Sequence, residues 1–154
     1  WLLPWGTPLT LLGDSQQQVA AAQRELVRIG IDRPAAQATA PLTELAGRSL
    51  STFDLVSFAD LDRARRSGEV AVLDVRRDAE WNQGHLKDAR HIPLHELLGR
   101  TDEVTGPVWV HCASGYRATI AGSMLSRAGK DVTVVADSFD AAGDAGLPLE
   151  AGLS

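Results

Sequence analysis

The chain has 154 residues, of which 44% are apolar, and a formal net charge of -5. That is enough apolar material for a packed core, so a disordered tail is excluded, and the acidic balance argues against a nucleic-acid binder. A single cysteine rules out an internal disulfide, and no stretch approaches the ~20 apolar residues a membrane helix needs.

The opening Trp1-Leu2-Leu3-Pro4-Trp5 lacks the basic flank and the apolar run of a signal peptide, so the expectation is a cytoplasmic chain with no membrane partner. Pro8 to Asp32 reads as strand, loop, helix and glycine. Pro34 to Gly47, rich in Ala, Pro and Thr, reads as a closing segment or linker. A short strand follows over Ser51 to Val56, then a helix over Phe58 to Arg66 with Ser57 as its N-cap. Arg63, Arg65 and Arg66 are read as the solvated side of that helix. Glu69 to Val75 is a compact apolar run of the kind a buried strand needs. Asp78 to Gln83 is a short helix stopped by Gly84, and Pro107 to His111 is a further buried strand. Arg117 to Ala128 is a helix with Ile120, Ala121, Met124, Leu125 and Ala128 on one face, closed by Gly129; Val132 to Ala136 is the last strand. Strands alternating with helices predict an α/β fold, a mostly parallel sheet with helices on both faces.

The two ends of the chain echo one another. Sliding Pro8–Asp32 onto Pro107–Asp131 without gaps matches Pro8 with Pro107, Ser15 with Ser114, Ala22 with Ala121 and Leu26 with Leu125. Arg28, Gly30 and Asp32 then meet Arg127, Gly129 and Asp131. The expectation is a repeat: residues 1–47 form the second half of a degenerate α/β unit whose front half would precede Trp1, and residues 48–154 form a complete domain. Gly13 falls where Cys112 sits in the later copy, so the earlier copy has no thiol and is expected to be structural.

Cys112 is where chemistry is expected. A free cysteine is ordinarily a small buried core residue. Here, however, a strand delivers it to a loop containing Gly115, and a helix begins near Arg117. Such a loop presents unpaired backbone N–H groups and the positive end of the helix dipole, which stabilise an anion such as a thiolate. Arg117 adds a cation for a substrate's anionic end.

Cys112-Ala113-Ser114-Gly115-Tyr116-Arg117 resembles the six-residue active loop of the rhodanese family. Leu73-Asp74-Val75-Arg76, Glu80-Trp81, Gly84-His85-Leu86, Ala89, Ile92-Pro93-Leu94 and Gly146-Leu147-Pro148 resemble its other landmarks, in order, across about Leu50 to Gly152. The resemblance implies a sulfurtransferase in which Cys112 takes a sulfane sulfur from thiosulfate or a persulfide and passes it to a thiol or cyanide. Ala113, Ser114, Gly115, Tyr116 and Arg117 would hold the anionic sulfur, with no metal or organic cofactor needed for that step. An inert copy followed by an active one further resembles the C-terminal part of metallo-β-lactamase-fold proteins related to persulfide dioxygenases, which implies a metal-binding domain preceding this segment. The chain departs from the family at Asp137-Ser138 before Phe139, at Ala142, at Asp88 where glycine is usual, and at His91 where asparagine is common.

Two rivals are weighed. Dual-specificity cell-cycle phosphatases resemble rhodanese in fold but place five residues between Cys and Arg; here only Ala113 to Tyr116 intervene, which suits sulfur over a phosphoryl group. The other rival is a non-catalytic regulatory or interaction module, against which the Cys112–Arg117 pair argues. Among supporting residues, Asp74 is expected to hydrogen-bond the active loop, and Arg76 either to face the pocket or to pair with Glu80. His85 is read as holding local turns. His91 and His95 have ligand spacing on a helix, but Pro93 between them spoils it. His111 should point away from Cys112 by strand alternation, and Trp81 and Trp109 are core or groove residues.

Overall fold

A computed structural model describes residues 4–41, 44 and 52–151. Ser51, at the start of one expected strand, and most of the expected linker's second half lie outside the described residues. The chain divides into two compact units, Trp1–Thr52 and Phe53–Ser154.

In the first unit, β1 (Thr10–Gly13) and β2 (Ala36–Thr39) pair in parallel, with Thr10 opposite Ala36 and Gly13 opposite Thr39. The crossover between them is α1 (Gln16–Arg28), whose first turn is capped by the Ser15 hydroxyl accepting from the Gln18 amide. Val19 is the buried residue of this helix. β2 falls inside the segment expected to be a linker. Ala-Gln-Ala-Thr carries little strand propensity, and pairing with β1 makes it a strand.

The second unit is built on five parallel strands in the order β3-β8-β7-β4-β6. They are β3 (Asp54–Val56), β4 (Val72–Asp74), β6 (Arg90–His91), β7 (Val108–His111) and β8 (Val132–Val135). The connecting helices are α2 (Phe58–Ser67), α3 (Asp78–Gln83), α4 (Leu94–Arg100), α5 (Tyr116–Arg127) and α6 (Ala141–Asp144). β5 (His85–Leu86) pairs antiparallel with β9 (Leu149–Glu150) as a separate ribbon.

Ser57 caps α2 as expected, and reciprocally: its hydroxyl accepts from the Asp60 amide while Asp60 accepts from the Ser57 amide at 2.9 Å. Phe58 and Leu61 on the inner side of α2 pack with Val72 of β4, Val135 of β8, Leu86, Ala142 of α6 and Leu147. Each large side chain buried this way contributes roughly 1.5–3 kcal/mol. Successive strand residues face opposite sides, so Val134 faces the other helical layer. There α5 approaches so closely that a Cβ on Gly122 would lie 2.5 Å from Val134 Cγ2. Ala118, Ala121, Gly122 and Leu125 form the buried face of α5. Ala128, expected on that face, lies beyond the helix and is exposed.

The sheet's parallel strands all end on one side. That brings Asp74, last in β4, into register with His111, last in β7, and sets Cys112 immediately beyond. Open parallel sheets bind ligands at this carboxyl end.

Candidate active site

Cys112 leaves β7 with no exposed surface. The loop then turns at Gly115, whose φ of +83° is left-handed, and α5 begins at Tyr116. A Cβ at Gly115 would lie 2.9 Å from Ala136 Cα, so glycine is required by both torsion and space. Two contacts hold the loop's outer shape. The Phe139 amide donates to the Ala113 carbonyl at 2.9 Å, and the Thr119 amide and hydroxyl both donate to the Gly115 carbonyl. Among the described residues, no acceptor meets the amides of residues 113 to 118. They belong to the loop and the first turn of a 12-residue helix, which is where an anion is best held.

Arg117 reaches across to α3. Its Nη1 and Nη2 donate to Glu80 Oε2 and Oε1, both at 2.6 Å. This two-pronged pair holds the Glu80 carboxyl down to about 2, helped by the Arg77 amide donating to Oε2 at 3.0 Å, and raises Arg117 further above its usual range.

Asp74 does not hydrogen-bond the loop as expected. Its buried carboxylate accepts from the Arg76 amide and from the Arg76 guanidinium, with Nη2–Oδ2 at 2.7 Å. Arg76 is thereby drawn inward, donates to the Gly84 carbonyl at 2.7 Å, and does not pair with Glu80. Only Val75 separates Asp74 from Arg76, and the bend after β4 lets the guanidinium fold back over the strand end.

The Arg76 guanidinium lies 3.6 Å from the Phe139 ring centroid, Phe139 stacks on His111, and Phe58 meets both edge-on. His111 is fully buried and neither ring nitrogen has a hydrogen-bond partner. Burial pushes its pKa down to about 4, although Asp74 Oδ2 at 3.6 Å pulls the other way. At neutral pH it is an uncharged ring in an aromatic stack.

Ser114 and Tyr116 are exposed at the loop's surface. Trp81 is sandwiched between His85 and His91, at 3.6 and 4.6 Å. His85 Nδ1 lies 3.2 Å from the Trp81 carbonyl, and His91 Nε2 lies 2.9 Å from the Arg76 carbonyl, so each ring ties two segments together. His95 is exposed, and Trp109 packs against the core. Among the described residues no group of three His, Cys, Asp or Glu is placed to hold a metal ion, and no helix is long and apolar enough to cross a membrane.

The residues that sequence reasoning under-read are Glu80 and Phe139. Glu80 stands three residues after the N-cap of α3, the position from which a carboxylate reaches back to the cap amide. That signal predicts its place on the helix but not its partner Arg117. Phe139 carried no chemical signal, and only folding shows it bridging Arg76, His111 and the loop.

The fold that carries this cysteine, with its glycine-turned loop of unpaired amides, has counterparts among known proteins. A family profile described as a rhodanese-like domain matches residues 57–144. The HTH-type transcriptional regulator Rv0324 of Mycobacterium tuberculosis is 32% identical over 131 residues, covering 82% of this chain and 57% of that protein. The uncharacterized protein YqhL of Bacillus subtilis is 35% identical over 60 residues, 38% of this chain and 48% of that one. The chain thus spans about half the length of these curated relatives. A solved rhodanese-related protein from Thermoplasma volcanium superposes with a TM-score of 0.58 at 26% identity, covering 64% of this chain and 98% of that one. The α/β architecture, the matched span and the cysteine loop together make this chain a member of the rhodanese-like domain family.

Proposed function

We propose that the second unit is a sulfurtransferase in which Cys112 carries a sulfane sulfur. The observation that carries this reading is the set of amides at residues 113 to 118, free of acceptors and gathered around the cysteine loop. With thiosulfate as donor, the Cys112 thiolate attacks the outer sulfur, an S–S bond forms as the old one breaks, and sulfite leaves with the bonding electron pair. With a persulfide donor, the same attack expels a thiolate. The product in both cases is a Cys112 persulfide anion, whose charge the loop amides and the helix dipole stabilise. An acceptor thiolate or cyanide then attacks the terminal sulfur and regenerates the Cys112 thiolate. Ala113, Ser114, Gly115, Tyr116 and Arg117 form the anion loop, while Asp74 and Arg76 brace the strand end beneath it. The transfer itself uses no metal or organic cofactor.

In this reading residues 1–47, with the strand–helix–strand order of residues 10–39 and Gly13 in place of the thiol, are the remnant of an inert copy. A preceding metal-binding domain of metallo-β-lactamase fold would be a natural sulfur partner. Sulfur uptake by intact-mass spectrometry tests the proposal: incubation with thiosulfate or glutathione persulfide is expected to add one sulfur, removable by cyanide and absent in Cys112→Ser.

A second reading, a regulatory module without turnover, is favoured by one observation: the relative matched over most of the chain is named a transcriptional regulator. No adduct from either donor would support that reading and refute sulfur transfer.

A further inference from the structure

We infer that Glu80 sets which donors Cys112 accepts, holding the loop's cation so that doubly charged donors are disfavoured against singly charged persulfides. This rests on the sulfurtransferase reading and goes beyond it to the class of donor. Arg117 is the loop's own cation, and both its terminal nitrogens are committed to Glu80 at 2.6 Å. Glu80 is itself fixed by the Arg77 amide that it caps, so it cannot swing aside without uncapping α3. Both partners are partly buried, at 23% and 30% side-chain exposure, so water screens the pair only in part. Arg76, whose charge also reaches Glu80, is committed to Asp74.

The charge count follows. Thiosulfate brings two negative charges to a thiolate and must do so beside Glu80, whose own charge already neutralises Arg117. A persulfide anion brings one. The amides stabilise the anionic outer sulfur common to both donors, but the sulfonate end of thiosulfate needs a cation, and the one within the loop is occupied. The burden of Glu80 therefore falls on thiosulfate.

Glu80→Gln tests this, because glutamine keeps the side-chain length and its carbonyl still accepts from the Arg77 amide. The readout is the ratio of kcat/KM for thiosulfate to kcat/KM for cysteine persulfide, whose zwitterionic backbone leaves a single net negative charge on the donor. Freeing Arg117 is expected to raise that ratio roughly tenfold or more, mainly through a lower KM for thiosulfate. A Glu80 that only braces the structure would lower both donors together and leave the ratio fixed, which overturns the inference. Calorimetric binding of thiosulfate to Cys112→Ser, with and without Glu80→Gln, gives a readout independent of turnover; tighter binding supports the inference and unchanged binding overturns it. If the unaltered chain takes sulfur from neither donor, the sulfurtransferase reading fails. If it takes sulfur and the ratio does not move, only the role of Glu80 fails.

Discussion

Replacing His111 with phenylalanine should remove most of the acid sensitivity of this unit above pH 5. The folded chain buries His111 as a neutral ring with pKa about 4, against an ordinary value of 6.5. Between those values the unfolded chain holds a proton that the folded chain does not, so stability falls as pH falls. The stabilisation is fully present above about pH 6.5 and is lost on the way down to about 4. Between pH 7 and pH 5 this single group removes about 2 kcal/mol, on the order of a fifth to a third of a typical domain's stability. Phenylalanine retains the stacking with Phe58 and Phe139 and abandons no hydrogen bond, since neither ring nitrogen has one. Its extra bulk costs about 1–3 kcal/mol, but at every pH alike. Urea unfolding at pH 7 and pH 5 gives the two stabilities of each protein. The drop for His111→Phe should be smaller than that of the unaltered chain by about 2 kcal/mol. Equal drops would show that the imidazole is protonated in the folded state and would refute its burial as a neutral ring.

Three further substitutions probe the site's supports. Gly115→Ala forces a Cβ against Ala136 in a left-handed turn and should cost about 2–4 kcal/mol, read as a lowered Tm together with lost sulfur uptake. Asp74→Ala leaves the Arg76 guanidinium buried without its partner, at a cost of about 3–5 kcal/mol. The double variant Asp74→Ala/Arg76→Met should be more stable than Asp74→Ala alone, and a double variant no better would remove the unpaired charge as the cause. Asp88→Gly should raise stability by about 0.5–1 kcal/mol, because Asp88 alone among the described non-glycine residues has a positive φ, 60°. Denaturant midpoints are sensitive enough to settle its sign.

What the sequence made legible was local. The Ser57–Asp60 cap, the Gly84 stop and the strand–loop–helix around Cys112 each depend on neighbours a few residues apart, and their physics is written in short spacings. The Arg117–Glu80 pair joins residues 37 positions apart, so only the fold brings them together. For Arg76 the sequence left open the pocket or Glu80, and the bend after β4 instead turned the guanidinium onto Asp74. β2 was missed because a short parallel strand of small and polar residues owes its existence to its neighbour rather than to its own pattern. Asp88 shows the converse: its departure from the family's glycine was visible, and the structure supplies the left-handed turn that makes the departure costly.

The sealed position of Cys112 bears on how the chain ages. It is the one cysteine in these 154 residues, so within them an oxidised thiol meets no second thiol with which to form a disulfide. Cys112 has no exposed surface, so in this conformation neither peroxide nor a sulfur donor reaches its sulfur directly. A peroxide has no negative charge with which to exploit the loop's free amides, whereas an anionic sulfur species does. If Cys112 carries sulfur as proposed, an enclosure whose free amides hold an anionic sulfur species and have no such grip on a neutral peroxide would favour the reactant over the oxidant.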